Sequence, residues 1–281
     1  MEALLAPFEF GFMQRAFALS LLAAIPTALL SCFLVVRGWA LLGDAVSHAV
    51  LPGIVLAYIF GLPLLIGAFA AAMVCALASG YVADNSRIKP DTAMGVVFSG
   101  MFGLGVVLFT AIETDIHLDH VLFGNLLGVE PQELWTSGII GLVVVIGLFI
   151  FWRDLRFQSF DPAQAQLLGL RVGMLHYGLL SALALTIVAT LAATGLILAI
   201  GLLIAPGAIA FLLTRTFAQM MLVSVGVCIF SLLTGVYLSF FLDSAPAPTA
   251  ILVFTTLFIA VFIGKRIAPQ ARISTVIQRI T

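Results

Sequence analysis

Charge is what this sequence has least of. Only 9% of its 281 residues are Asp, Glu, Lys or Arg, while 63% are hydrophobic, and the mean hydropathy is +1.23. A soluble domain carries about 25% charged residues, so a water-soluble globular fold is excluded and most of the mass belongs in a lipid bilayer. The net charge is −1 and no basic patch exists, which leaves no surface for nucleic acid. Cysteine is scarce too. Cys32, Cys75 and Cys228 each lie inside an apolar run, with no CxxC pair and no disulfide framework, and they read as small hydrophobes in helix packing. Short segments of period-2 alternation are missing, which excludes a transmembrane β-barrel. Also missing are a GxxxxGK[ST] nucleotide loop, an HExxH pair and a GxSxG elbow. Gly264-Lys265 has no upstream glycine at the right spacing and is followed by arginine. The opening residues, Met1 to Met13, carry Glu2 and Glu9 but no basic region or small-residue cleavage site, so no cleaved signal peptide is expected.

What the chain does have is long apolar runs. Stretches of about 20 residues, enough for an α-helix to cross the hydrocarbon core, recur along its whole length. Spans are expected near 14–36, 41–60, 62–83, 92–112, 133–152, 176–194, 196–214, 218–242 and 247–264. The predicted fold class is all-α: one polytopic membrane domain over 1–281 with eight or nine transmembrane helices. The count is open because the second run is short and polar at its start. Only Ala193-Thr194-Gly195 separates the sixth run from the seventh, so that pair reads equally as a re-entrant or broken element. In the nine-helix reading, eleven of the twelve basic residues fall on one side and only Arg15 on the other. Lys and Arg mark the cytoplasmic face, which predicts an external N-terminus and a cytoplasmic C-terminus. The segment 153–175 is then cytoplasmic. Within it, Asp161-Pro162 is a helix-start signal and Gly169 a stop, predicting a short helix too polar to span.

One apolar run carries ionisable residues in its interior. Asp44 and His48 sit four apart in Leu41-Leu-Gly-Asp-Ala-Val-Ser-His-Ala-Val-Leu-Pro-Gly53. A charge at membrane depth is costly unless it faces a cavity or a partner, and positions i and i+4 share a helix face. A carboxylate oxygen and an imidazole nitrogen together suit Mn(II), Fe(II) or Zn(II) better than the all-oxygen shells of Ca(II) and Mg(II) or the sulfur preferred by Cu(I). One chain offers two such ligands; a symmetric pair of chains offers four, with two carboxylates to balance the cation. Ser47 could add an oxygen or support the histidine. The plainer alternative makes Asp44 the N-cap of the second helix and His48 a packing residue. A second, weaker metal candidate is the external cluster His117, Asp119 and His120, which reads equally as a solvated loop. His176, at the start of a span, reads as interfacial.

Several segments resemble the permease subunits of metal-importing ABC transporters of the manganese/iron/zinc type, the ABC-3 family. They are Phe12-Met-Gln-Arg-Ala16, Arg37 through Gly53, Asp91 through Ser99, Asp119 through Gly128, Phe160 through Ala165 and Gly195 through Gly207, in the family's order and over nearly the whole chain. The most specific is Gly-Asp-Ala-x-Ser-His-Ala-x-x-Pro-Gly. The resemblance implies a cobalamin-importer-like (type II importer) permease, working as two copies in a bacterial cytoplasmic membrane. It implies two cytoplasmic ATP-binding subunits and an external solute-binding protein as partners. It further implies that Mn2+, Fe2+ or Zn2+ is transported rather than kept as a cofactor. The family's metal-site aspartate and histidine map onto Asp44 and His48, and the coupling element onto 153–175, with contacts near Asp161 and Gly169. Two rivals differ in class. A secondary, ion-coupled metal transporter without an ATPase would show inverted repeats, and none is found. An intramembrane enzyme would need a nucleophile beside Asp44 and His48, and Ser47 points about 100° away from His48 on an ideal helix.

Overall fold

The computed structural model describes residues 2–111 and 126–277. Every element among them is a helix: α1 Glu2–Glu9, α2 Gly11–Arg37, α3 Ala40–Ala49, α4 Leu51–Ile59, α5 Leu64–Asn85, α6 Pro90–Thr110, α7 Pro131–Phe160, α8 Pro162–Leu167, α9 Val172–Leu213, α10 Phe217–Leu242 and α11 Pro246–Ile277. Local chemistry sets their ends. Proline opens α6, α7 and α8, where its missing N–H costs nothing. At the start of α7, Glu133 reaches back to accept the Glu130 amide at 3.2 Å in a capping box. Gly38, at φ 69°, stops α2, with Gly38 N donating to Val35 O and Trp39 N to Leu34 O.

Eight helices among the described residues are long and apolar enough to cross a membrane. The second crossing, Leu41–Ile59, is broken into α3 and α4. Pro52 cannot donate to the carbonyl four residues back, that of His48, and its ring crowds that oxygen. The expected ambiguity at 193–195 resolves into a turn. Gly195 takes φ 76°, ψ 171° inside α9, dividing it into the arms Val172–Leu191 and Leu198–Leu213. The first arm starts beside Arg37, through His176, and reaches the start of α7, where Ser137 Oγ donates to Ala189 O at 3.0 Å. The second comes back: Gly207 N donates to Ser31 Oγ at 2.9 Å, and Phe217 packs on Phe33 with ring centroids 5.0 Å apart. The returning arm measures about 24 Å at 1.5 Å per residue, so the described residues hold eight helices of crossing length and one shorter apolar arm.

The bundle is organised around α2 and the broken span, the most enclosed of the crossings. Phe33, Leu42, Val46, Leu183, Ile187 and Leu203 form the centre of the largest core. Outward faces are apolar, as at Phe149, Leu222 and Trp135, which suits lipid contact. Helices meet through small residues. At the closest approach, between α4 and α5, Gly53 and Gly67 face each other backbone to backbone. Helix ends differ from expectation where helices leave the apolar zone. α7 runs on to Phe160 rather than stopping near 152, because nothing breaks it before Asp161-Pro162, and α11 runs on to Ile277 rather than 264.

Candidate metal site on the broken span

Asp44 and His48 both belong to α3, and its i,i+4 geometry brings Asp44 Oδ1 to 3.4 Å from His48 Nε2. Helix α3 begins after Trp39, so Asp44 lies in its interior and is not its N-cap, which corrects the capping half of that alternative. The opposite face of α3 is closed. Val46 and Ala49 are fully buried, and Gly43 packs so closely on Leu203 that a Cβ there would lie 3.1 Å from Leu203 Cδ1. The Asp44–His48 face remains partly open, with 39% and 26% of the two side chains exposed. Both groups therefore combine access from outside the chain with a fixed helical base.

The imidazole is walled by aromatics on α6. Its ring centroid lies 5.5 Å from those of Phe98 and Phe102, edge-on to the latter. These rings were not singled out from sequence, although their i,i+4 spacing on one helix face is a signal that an aromatic wall leaves. The register of α6 against the broken span follows from Gly105, where a Cβ would lie 2.8 Å from Pro52 Cδ. Ser47 is turned the other way: its side chain is buried and its hydroxyl donates to Gly43 O at 2.7 Å. It is not brought into the Asp44–His48 face. His117, Asp119 and His120 lie outside the described residues. Among the described residues no three His, Cys, Asp or Glu side chains gather in one place, and the carboxylate and imidazole are the ligand pair they present here.

At the Arg37 end of the bundle, Asp161 caps α8, accepting the Gln164 amide at 2.9 Å. Gly169, at φ 80°, closes α8, with Leu170 N donating to Ala165 O and Gly169 N to Gln166 O. The expected helix in 153–175 is thus present with the expected start and stop. His176, read as interfacial, lies at this end against Arg37 and Trp39.

A multi-pass helical bundle with an ionisable pair on a broken, enclosed span is built as a membrane transport subunit. The chain belongs to the ABC 3 transport family, whose model matches residues 9–265. It is similar to the chelated iron transport system membrane protein YfeD of Yersinia pestis, 49% identical over 267 residues that cover 94% of this chain and 89% of that protein. The manganese transport system membrane protein MntB of Synechocystis sp. is 41% identical over 261 residues, covering 93% and 85%. Among solved structures, PsaBC from Streptococcus pneumoniae in complex with Fab superposes with a TM-score of 0.83 at 31% identity, covering 93% of this chain and 95% of that one. The chain is accordingly a membrane component of an ABC transporter rather than an enzyme.

Proposed function

We propose that this chain is the permease of an ATP-driven importer of Mn2+ or Fe2+, and that the cargo ion is held in transit by Asp44 and His48 of two copies. The observation that carries the reading is the Asp44–His48 pair itself: two ligand side chains 3.4 Å apart on one open face of an otherwise buried transmembrane helix. A carboxylate replaces part of the ion's hydration shell and offsets its charge, and an imidazole supplies the borderline nitrogen that selects transition metals over Ca2+ and Mg2+. Because one chain presents two ligands, a second copy related by a two-fold axis completes a four-ligand site with two negative charges. The ligand set also accepts Zn2+; the preference for manganese or iron comes from the names of the relatives. His117, Asp119 and His120 are secondary candidates, for the entry side.

The whole chain acts as one permease domain, with its Arg-rich end and its C-terminus in the cytoplasm of a bacterial inner membrane. Separate ATP-binding subunits dock on α8. Leu167, the last residue of α8, and Leu168, which follows it, are 88% and 63% exposed beside a helix too polar and short to enter lipid, which is what a protein contact would cover. An external solute-binding protein delivers the ion, and ATP binding and hydrolysis rock the two copies between outward and inward access. The site is expected to bind weakly, since conduction needs release as much as entry.

The test is uptake of radioactive manganese, iron and zinc by cells carrying this chain with its partners, beside cells whose ATP-binding subunit cannot hydrolyse ATP. Accumulation that requires hydrolysis supports the reading and names the metal. Uptake that survives loss of ATP hydrolysis but stops when the proton gradient is collapsed identifies an ion-coupled carrier instead.

A further inference from the structure

The root of the site helix is tied to both flanks of α8 by one side chain. Arg37, the last residue of α2, donates from Nε to Ser159 Oγ at 3.0 Å, and its Nη1 lies 3.4 Å from His176 Nδ1. Ser159 lies near the end of α7, just before α8, and His176 lies in the first turns of α9, just after it. The guanidinium also lies over the Trp39 ring, 4.6 Å from its centroid, and Trp39 both precedes α3 and meets His176 edge-on at 5.3 Å. Each contact has a defined direction. Ser159 Oγ gives its proton to Leu155 O and so accepts from Arg37. Arginine has no acceptor, so His176 Nδ1 accepts and the ring proton sits on Nε2, the nitrogen turned toward Gly80.

The joint that Arg37 serves is short. The α2–α3 turn is closed by the paired bonds at Gly38 and Trp39, and α3 starts at the next residue, Ala40. Asp44 and His48 follow Trp39 by about 7 and 13 Å along the helix at 1.5 Å per residue. A cavity of about 440 Å³ opens beside the guanidinium, walled in part by Trp39, Asp84, Gln158 and His176. Arg37 Nη2, Gln158 Oε1 and His176 Nε2 are buried at this end without hydrogen-bond partners. Gln158 is 3% exposed, and its amide orientation is fixed because Nε2 donates to Val172 O at 2.7 Å.

We infer that Arg37 is a positioning residue for transport: through Ser159 and His176 it carries movement of the α7–α8–α9 corner to the helix that bears Asp44 and His48. This rests on the reading that an ATP-binding subunit drives transport through α8.

The experiment uses the whole complex, with its ATP-binding subunits and binding protein, in vesicles. Manganese binding, ATP hydrolysis and manganese moved per ATP are measured for wild type, Arg37→Gln and Arg37→Lys. Arg37→Gln is expected to bind the ion and hydrolyse ATP as wild type does, while manganese moved per ATP falls about tenfold, a change of the size that mutations between coupled sites produce. Arg37→Lys keeps the charge and one donor but loses the fork, and is expected to fall between the two. An Arg37→Gln complex as tightly coupled as wild type overturns this inference alone. Binding, hydrolysis and transport that decline in the same proportion also overturn it, since Arg37 would then only hold the fold. A wild-type complex that hydrolyses ATP without moving metal overturns the transport reading, and this inference with it.

Discussion

The α4–α5 contact makes Gly53→Ala the most severe small change available near the site. A methyl group at Gly53 would overlap the Gly67 carbonyl oxygen outright, and would lie 2.6 Å from Ala71 Cβ and 2.8 Å from Gly67 C. Carbon atoms rest at about 3.5–4.0 Å, so the two helices must part by roughly 1 Å. No side-chain rotation relieves this, because the obstructing atoms are backbone or a Cβ fixed to it. Overpacking of this kind costs about 1–3 kcal/mol, and the displaced helix α4 is joined to the site helix through Val50. Gly100→Ala is the matched control. Nothing lies within 4 Å of that position on α6, and alanine gains about 1 kcal/mol over glycine in helix propensity. Thermal unfolding in detergent is expected to show Gly53→Ala several degrees below wild type and Gly100→Ala at or above it, with metal uptake reduced only in the former. A Gly53→Ala protein with wild-type Tm and uptake would refute the close approach and the packing that positions α3.

Other outcomes follow from the site and the docking segment. Phe102→Ala removes an edge-on ring from His48, and an aromatic pair of this kind is worth about 1 kcal/mol; uptake at limiting metal is expected to fall several-fold while the complex still assembles. Asp161→Ala deletes the α8 cap at a cost of about 1 kcal/mol, whereas Asp161→Asn keeps a capping oxygen. Co-purification of the ATP-binding subunit is expected to weaken for the alanine variant and hold for the asparagine.

Much of this architecture is legible in the sequence because the bilayer imposes a length on every apolar run. The α8 boundaries follow from Asp161-Pro162 and Gly169, whose preferences act within a few residues. The return of the chain at Gly195 is visible only as a choice between a break and a re-entrant element, since its direction depends on the contacts Ser31 and Phe33 make with residues more than 170 positions away. Helix ends beyond the apolar zone are illegible for another reason: a helix leaving the hydrocarbon has no change of hydropathy to mark its last turn, so α7 reaches Phe160 unannounced. At the site, Asp44 and His48 stand out because charge is costly in lipid. Phe98, Phe102 and the Arg37–Ser159–His176 cluster do not stand out, since each contact joins elements far apart in sequence through a register set by close approaches such as Gly105 on Pro52.

The most direct measurement is ATP-dependent uptake of manganese and iron by the assembled complex with Asp44→Ala beside wild type, assembly being checked by co-purification of the ATP-binding subunits. Abolished uptake in a complex that still assembles and hydrolyses ATP is the expected result, because removing the carboxylate leaves the cation without its oxygen ligand and its charge balance in a site away from bulk water. Normal uptake by Asp44→Ala would contradict the Asp44–His48 site and move the search to His117 and His120.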